Sequence, residues 1–329
     1  MGSMFVLALA LALDWYAGDP DFVWKKLPHP VVLFGRLIEW MDRLRYHERL
    51  VDVFGAEPKK TDLLMGWVLL GLLAVISIFT GWLVHSASAL LGPLWWLLEV
   101  PLVAVLLAQK SLKDHVEAIV AGLRNDGLEG GRLAVARIVG RDVSGLDQNG
   151  VARAGIESLA ENFSDGVVAP ALWYALLGLP GLVFYKAVNT ADSMIGHRTH
   201  KHEYFGKPAA RLDDALNWPA ARLTALLVAF AVFLSRGRAH ASEVWATVLR
   251  DAPTHASPNA GWPETAFAAA GGVALGGPRS YDGRPINAPT LNGSGRLILE
   301  TSDIVVALGL FTRCCFILFG LVVLIAIIA

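Results

Sequence analysis

The feature that most constrains the fold is an apolar run, Leu63 to Val84, that contains no charged residue. Roughly 20 consecutive apolar residues are enough for a helix to cross the hydrocarbon core of a bilayer. Three further runs have nearly the same character: Leu90 to Ala108, Val167 to Tyr185, and Ile304 to Ala329. Two shorter runs, Met4 to Leu13 and Leu223 to Leu234, are marginal by themselves. We therefore predict an all-α polytopic integral membrane protein with about four to six membrane segments.

Composition agrees with a bilayer environment. Hydrophobic residues make up 54% of the 329 residues and charged residues only 17%, which lies on the apolar side of ordinary soluble domains. We predict one integral membrane domain over residues 1–329, and leave Met1-Gly2-Ser3 out of the fold prediction because they resemble an expression-tag remnant. A net charge of −1 provides no basic field, which excludes nucleic acid as a partner. The adjacent Cys314 and Cys315 lie in an apolar run and are predicted to be packing residues.

The run from Val167 to Tyr185 is interrupted by glycine and proline at Gly178–Gly181. If this run crosses the membrane once, the polar stretch Lys186 to Asn217 emerges on the opposite side from Glu157. If the chain folds back at the interruption, both polar regions share one face. We favour the second geometry, because broken helices that line a polar cavity are tolerated in membranes and commonly build sites.

Basic residues set the expected orientation. The connector His85 to Ala89 has no Lys or Arg, whereas Gly18 to Asp62 and Gln109 to Gly166 hold many. Loops rich in Lys and Arg remain on the cytoplasmic side. We therefore predict cytoplasmic helical loops and an active site that faces the cytoplasm from a bacterial inner membrane.

The stretch from Ser235 to Asp303 is also expected to be cytoplasmic because it contains several basic residues. That placement requires Leu223 to Leu234 either to be re-entrant or to pair with Phe267 to Leu275.

Three acids, Glu157, Glu161 and Asp165, are spaced at i, i+4 and i+8, which would stack them along one helical face. Like charges repel at this spacing unless a cation lies among them, and Arg153, one turn earlier, can neutralise only one. The spacing is typical of a Mg²⁺ site in which oxygen ligands and substrate phosphates share the ion. The alternative is a solvated helix face with no metal.

A second polar group follows the interrupted run. Asn189 and Asp192 lie at i and i+3, while Lys186 and Arg198 supply positive charge of the kind that binds phosphate.

A histidine cluster, His197, His200 and His202, lies just beyond. It is compatible with zinc, but it has no thiolate and the adjacent Lys201 opposes a cation, so structural or substrate-contacting roles are favoured.

A third group comprises Arg211, Asp213, Asp214 and Asn217. An acidic pair followed by an amide one turn later is typical of metal-bridged diphosphate sites, although the pattern is weak alone.

In a fourth group, Pro258 and Gly261 are predicted to form a tight turn that presents Asn259 and Glu264 inward.

Together these motifs resemble a known family. The resemblance is carried by five collinear sets of residues: Asp14…Gly18-Asp19-Pro20…His29-Pro30-Val31…Gly35-Arg36; Ile156-Glu157-Ser158-Leu159-Ala160-Glu161-Asn162 with Ser164-Asp165-Gly166; Lys186-Ala187-Val188-Asn189-Thr190 with Asp192-Ser193-Met194; Ala210-Arg211-Leu212-Asp213-Asp214; and Ser257-Pro258-Asn259-Ala260-Gly261-Trp262-Pro263. The sequence is similar to the adenosylcobinamide-phosphate synthase family of cobalamin biosynthesis, the CobD/CbiB membrane proteins. The matches cover nearly the whole chain. Leu44 to Lys60 and the C-terminal helix match least.

This resemblance implies an amide ligase that consumes ATP with Mg²⁺. The enzyme would join a propionate carboxylate of adenosylcobyric acid to the amine of aminopropanol phosphate or ethanolamine phosphate. The implied partners are these two substrates, the lipid bilayer and other enzymes of nucleotide-loop assembly, and homo-oligomerisation is left open. No P-loop pattern occurs in the sequence, so the ATP site must be built differently.

Site roles follow as expectations from the resemblance and the chemistry of each side chain. The expected catalytic residues are Glu157, Glu161, Asp165, Asp192 and Glu264. The expected Mg²⁺ ligands are Glu161, Asp165, Asp192, Asp213 and Asp214. The expected phosphate- and substrate-binding residues are Lys186, Asn189, Arg198, Arg211, Asn162, Asn217 and Asn259. Glu264 or Asp165 would take the proton from the attacking ammonium.

Two other classes of function remain open from the residues alone. Acid-rich motifs beside membrane helices also suit a phosphotransferase or prenyltransferase that acts on a diphosphate with Mg²⁺. A transporter or assembly scaffold predicts polar residues inside the spans, where the clearest runs contain only Glu99 and Arg313 as charges.

Overall fold

The computed structural model describes residues 2–18, 29–44, 58–140, 142–196, 201–277, 279–281, 284–286 and 288–328. Helices dominate these residues, which confirms the all-α prediction. The α-helices are α1 (Gly2–Ala17), α2 (Pro30–Leu44), α3 (Pro58–Ala89), α4 (Trp96–Leu106), α5 (Gln109–Asn125), α6 (Gly127–Val135), α7 (Gln148–Phe163), α8 (Ala169–Ala191), α9 (Lys207–Arg236), α10 (Arg238–Asp251), α11 (Gly261–Gly271) and α12 (Thr301–Ile328).

The remaining regular structure is short. Two 3₁₀ turns cover Gly92–Leu94 and Ala252–Thr254, and two π-helical turns cover Ser164–Val168 and Asp192–Gly196. Four short strands follow α11: β1 (Leu275–Gly276), β2 (Arg279–Tyr281), β3 (Arg284–Ile286) and β4 (Thr290–Leu291). Strand β1 pairs antiparallel with β4, and β2 pairs antiparallel with β3.

Within the described residues, five helical stretches are long and apolar enough to cross a membrane: Lys59–Ala89, Gly92–Asn125, Gln148–Gly196, Lys207–Arg236 and Thr301–Ile328. This number agrees with the prediction of a polytopic membrane protein. Helix α1 is apolar but shorter, and Gly2 and Ser3, which the sequence prediction left out, belong to its first turn.

The predicted span from Leu90 to Ala108 is not one helix. Its longest helical piece, α4, has 11 residues and ends at Leu106, and the backbone of the next residue, Leu107, is extended. A new helix, α5, begins at Gln109, whose backbone N–H donates to the Asp14 carboxylate at 2.7 Å. This N–H has no partner within its own helix, and Asp14 accepts from it although it lies 95 positions away in sequence, so the break is stable inside the protein.

The run from Leu223 to Leu234, predicted to be marginal, is part of the 30-residue helix α9. Local hydropathy missed it because the preceding helical turns are polar. The pairing with the Phe267 to Leu275 region is present: Arg236 donates to the Ala270 carbonyl at 2.8 Å.

The interrupted run folds back, as predicted. Gly178 has φ 64° and ψ −157°, a backbone conformation that essentially only glycine adopts. The Tyr185 hydroxyl lies 2.8 Å from the Asp165 carbonyl oxygen, whereas 20 residues of continuous helix would separate two residues by about 30 Å. Residues 164–196 therefore form a helical hairpin whose two ends meet, and we name it the reversal hairpin. The single-crossing alternative is wrong.

Close packing holds the tip of the reversal hairpin. A Cβ on Gly81 of α3 would lie 2.6 Å from the Pro180 Cα, so only glycine permits this approach. Nearby, the buried Glu99 accepts from the Tyr174 hydroxyl at 2.7 Å and lies 2.9 Å from His85 Nδ1. The charge inside the second predicted span is thus bonded within the protein, as ionisable groups at membrane depth require.

The largest hydrophobic cluster joins α7, α11 and α12. Phe163 contacts both Phe267 and Phe311 edge-on. Cys314 and Cys315 are free and buried in the same cluster, which confirms that they are packing residues.

Candidate active site at the base of the reversal hairpin

Both ends of the reversal hairpin are π-helical turns, and each carries an aspartate. Asp165 lies in the turn Ser164–Val168 and Asp192 begins the turn Asp192–Gly196. A π-turn inserts an extra residue into the helical repeat, which re-aims the side chains there, and such turns are frequent at functional sites. The strict i, i+4, i+8 face expected for Glu157, Glu161 and Asp165 is therefore interrupted at its last member.

Helix α9 adds a third aspartate to the same place. The buried Asp213 accepts a hydrogen bond from Asn217 Nδ2 at 2.9 Å and from Asn189 Nδ2 at 3.3 Å, one on each carboxylate oxygen. Asn217 Oδ1 lies 2.8 Å from the Tyr185 hydroxyl, which also contacts Asp165. An amide and phenol network thus fixes the position of Asp213 against both arms of the reversal hairpin.

The carboxylates converge electrostatically. Asp165 is partly buried, and the charges that act on it are those of Glu161, Asp213 and Asp192. Asp192 is likewise the leading charge acting on Asp213. We name Glu161, Asp165, Asp192 and Asp213 the acid cluster. Four acids from α7, both π-turns and α9 therefore lie near enough for their charges to act on one another.

Glycines allow the second π-turn to pack this tightly. A Cβ on Gly196 would collide with the Asp192 carboxylate, and one on Gly206 would collide with the Ile195 carbonyl oxygen. The backbone before α9 thus passes directly over the turn that carries Asp192.

The acid cluster offers the hard oxygen donors that Mg²⁺ prefers. Among the described residues, no three His, Cys, Asp or Glu side chains are arranged to hold a metal ion directly. Asp213 already accepts on both oxygens. The donor set fits an ion that keeps several waters and is shared with substrate phosphates, which is the usual mode of Mg²⁺ binding.

Two expected catalytic acids lie elsewhere. Glu157 is buried and accepts from the Gly276 backbone N–H at 2.8 Å, while Arg153 donates to the carbonyls of Gly276 and Leu297. Glu264 is buried in α11, 3.8 Å from His255 Nε2. Glu157 thus ties α7 to β1, and Glu264 lies beside His255 at the start of α11.

Asn259 and Asp214 form a second structural contact. Asn259 donates to the Asp214 carbonyl at 2.8 Å and accepts from Arg222 at 2.9 Å. Arg222 lies over the rings of Trp218 and Trp262, at 4.6 and 4.4 Å from their centroids. Asn259 thus ties the start of α11 to α9, and Asp214 lies at the edge of the acid cluster.

The basic candidates are dispersed. Arg211 is exposed on α9. Arg198, His197 and His200 lie outside the described residues. His202 lies 3.4 Å from Asp42 Oδ2, in agreement with a structural role.

One cavity opens beside the acid cluster between α2 and the returning arm of the reversal hairpin. It measures about 560 Å³, and its polar lining comprises Arg36, Glu39, Lys186, Asn189, Thr190 and Ser193. We name it the Lys186 groove. Because Asn189 also bonds Asp213, the groove is joined directly to the cluster. Arg36 belongs to one of the sequence motifs, Gly35-Arg36, but the sequence alone predicted no role for it.

A second cavity, of about 430 Å³, lies between α5, the segment after α6, and the first π-turn. Its polar lining comprises Ser111, His115, Arg137 and Asn162. We name it the Arg137 pocket. Sequence reasoning missed His115 and Arg137 because they are isolated in sequence and meet only through tertiary packing.

Asn162 is positioned by its own helix. Its Nδ2 donates to the Ser158 carbonyl at 2.9 Å, and the Ser158 hydroxyl donates to the Ile138 carbonyl at 2.8 Å. This chain of bonds fixes the wall between α7 and the segment that carries Arg137.

Comparisons with known proteins identify the family of the chain. The sequence model of the family described as CobD/Cbib protein matches residues 7–311. A "Cobalamin biosynthesis protein CobD" from Sinorhizobium sp is 50% identical over 99% of the chain and 98% of its own length. Proteins with the same name are 48% identical in Brucella suis biovar 1 (97% of the chain, 96% of theirs) and 45% identical in Rhodobacter capsulatus (88% and 87%). No solved structure matches the chain.

Proposed function

The chain belongs to the CobD/CbiB family of cobalamin biosynthesis, and from that premise we propose that it is an ATP- and Mg²⁺-dependent amide ligase, an adenosylcobinamide-phosphate synthase. It would join adenosylcobyric acid to aminopropanol phosphate or ethanolamine phosphate. The observation that carries this proposal is the convergence of Asp165, Asp192 and Asp213 beside a groove that contains Arg36 and Lys186.

The chemistry explains why such a site is needed. A carboxylate is a poor acyl donor because its leaving group would be oxide. Transfer of the terminal phosphoryl group of ATP to the carboxylate gives an acyl phosphate and ADP. The amine nitrogen then attacks the acyl carbon, a C–N bond forms, the bond from carbon to the phosphate oxygen breaks, and inorganic phosphate and a proton leave.

The basic residues and the acid cluster suit the first step, phosphoryl transfer from ATP to the carboxylate. Lys186 and Arg36 would hold phosphate oxygens of ATP in the Lys186 groove, since ammonium and guanidinium groups are standard phosphate ligands. The acid cluster would hold hydrated Mg²⁺ against the same phosphates. Bound there, the ion would neutralise charge that develops on the transferred phosphoryl group.

Amide side chains position the acids for phosphoryl transfer. Asn189 and Asn217 hold Asp213, and Tyr185 links Asn217 to the Asp165 backbone. Fixed donors and acceptors need no reorganisation as charge develops, which is the main source of electrostatic catalysis.

The distribution of basic residues predicts where the site lies in the cell. The long segments rich in Lys and Arg would lie in the cytoplasm, so the acid cluster would face the cytoplasmic side of a bacterial inner membrane, where ATP is present. Other nucleotide-loop assembly enzymes would receive the product there.

Activity and its dependence on one carboxylate test the proposal together. Purified protein in lipid nanodiscs, given corrinoid, ethanolamine phosphate, ATP and MgCl₂, should produce a corrinoid whose mass gain equals that of the amide. Asp192→Asn should lower turnover by at least about 100-fold. Asp126→Asn, which alters an exposed acid between α5 and α6, is the matched control. Absence of the mass gain, or wild-type turnover in Asp192→Asn, would overturn the proposal.

A further inference from the structure

The Arg137 pocket has no role in the phosphoryl transfer described above. We propose that it binds the aminoalcohol phosphate, with Arg137 on the phosphate and His115 facing the amine. This inference rests on the proposed function, because it assigns the second substrate of the same reaction to a cavity of its own.

Arg137 is free to bind an anion. It is exposed, and within the part of the chain that the structure describes its side chain makes no hydrogen bond or ion pair. A guanidinium presents a planar set of N–H donors that matches two oxygens of a phosphate. A phosphomonoester would supply the acceptors that Arg137 lacks.

His115 is oriented to accept. Its Nδ1 lies 2.7 Å from the Ser111 carbonyl oxygen. A carbonyl oxygen only accepts, so Nδ1 carries the hydrogen of this bond, and the neutral ring presents Nε2 as an acceptor. Nε2 would therefore accept a hydrogen bond from an N–H of the substrate amine.

The pocket is joined to the acid cluster through its wall. Asn162 follows Glu161, and Gly166 follows Asp165 in the first π-turn, and both line the cavity. A Cβ on Gly166 would lie 3.3 Å from the Ala108 Cβ, so the wall is closely packed there. A ligand in the pocket would therefore lie beside the backbone that carries two of the cluster acids.

The two cavities differ in the phosphate that they suit. They share no lining residue. The Lys186 groove combines Arg36 and Lys186 with nearby carboxylates, which suits a polyphosphate with Mg²⁺. The Arg137 pocket has one unpaired guanidinium and an apolar wall that includes Leu112 and Val139, which suits a monophosphate on a short alkyl chain.

Kinetics with each substrate varied in turn test this assignment. Arg137→Ala should raise the KM for ethanolamine phosphate about 10- to 100-fold, the usual effect of losing a charged hydrogen-bond pair, and leave the KM for ATP within about twofold. Arg137→Lys should recover part of the loss, and His115→Gln should raise the same KM. Arg124→Ala removes an exposed arginine from α5 outside the pocket and should behave as wild type. An unchanged KM for ethanolamine phosphate, or a rise confined to ATP, would overturn the assignment.

Direct binding separates this inference from the proposed function. Calorimetric titration of the detergent-solubilised full chain with ethanolamine phosphate should give binding that Arg137→Ala abolishes and Arg124→Ala retains. If that binding is present but no amide forms, the proposed reaction is wrong and the assignment of the pocket is kept. If the amide forms but binding does not depend on Arg137, the assignment of the pocket is wrong and the proposed reaction is kept.

Discussion

At the scale of single residues, the site depends on side chains that position other side chains. Asp213 alone cannot stay fixed among like charges, and two amides from different helices hold its oxygens. Tyr185 then connects this network to the first π-turn. Removing one of these neutral groups should change the geometry of the acids without changing their number.

Tyr185→Phe tests this point. Loss of the hydroxyl leaves the Asn217 amide oxygen and the Asp165 carbonyl without their shared contact, so we expect the free energy of unfolding to fall by about 1–2 kcal/mol and turnover to fall about 10-fold or more. Denaturation in detergent and steady-state turnover measure the two effects. Tyr16, which is 82% exposed, provides the control Tyr16→Phe. Equal stability and turnover in both variants would contradict the role of the network.

A second residue-scale prediction concerns pH. The hydrogen bond from Arg250 lowers the pKa of Asp251, at the end of α10, below its ordinary value of 3.8. A lowered pKa in the folded state adds stability that is complete above 3.8 and disappears as the pH falls through the folded-state pKa. Asp251 also accepts from the Asn292 backbone N–H at 2.8 Å.

Asp251→Asn should therefore lower the free energy of unfolding by about 1 kcal/mol at pH 7. The difference from wild type should shrink as the pH is lowered below 3.8. Melting curves of both proteins across this range measure it. A stability difference between the two proteins that grows on acidification would contradict a lowered pKa of Asp251 in the folded state.

At the scale of elements, the reversal hairpin is the part that sequence predicts best. Gly178 and Pro180 interrupt an uncharged run between two polar motifs, and a fold-back is the arrangement that keeps both motifs on one face. The π-turns at its ends could not be predicted, because no residue pattern distinguishes them from ordinary helix. The break at Leu107 was missed for a different reason: the carboxylate that stabilises it belongs to Asp14, far away in sequence.

Gly178→Ala tests the reversal. A Cβ there would have room, since its nearest neighbour is the Pro180 Cδ at 3.8 Å, so the expected cost comes from the backbone conformation alone. We expect a loss of about 1–3 kcal/mol of stability and reduced turnover. Gly71→Ala in α3, where no atom lies within 4 Å of the added Cβ, should leave both unchanged or raise stability slightly. Equal melting temperatures for the two variants would contradict a strained turn at Gly178.

At the scale of the whole molecule, the sequence predicts a range of four to six membrane segments, which contains the five candidate stretches of the described residues, and it nominates the acids of the cluster, but it does not predict the cavities. Asp165 and Asp192 could be selected because they flank the interrupted apolar run, so their approach follows from the fold-back, whereas Asp213 was selected from the Asp213-Asp214 pair with Asn217 one turn later. His115 belongs to helix α5 and Arg137 to the turn after α6, and neither segment carries a motif of its own. Glu157 and Glu264 were selected for their charge, and their backbone and histidine contacts appear only once β1 and α11 are packed.

Orientation can be measured with single cysteines. Cys314 and Cys315 are 0% and 2% exposed, so the wild-type background should be silent to a membrane-impermeant maleimide. In spheroplasts, Ala89→Cys at the end of α3 should label, and Asp126→Cys should label only after permeabilisation. The reverse pattern would place the acid cluster on the outer side.

The Asp14 contact has a consequence for how the protein is made. Ribosomes add about 5–20 residues per second, so the 95 positions between Asp14 and Gln109 correspond to roughly 5–20 s of translation. During that interval the first helix has been synthesised but its acid lacks the amide that it will bind. We expect α1 to stay at the membrane surface or with an insertion factor until α5 emerges, so that its final seating comes late in biogenesis although its sequence comes first.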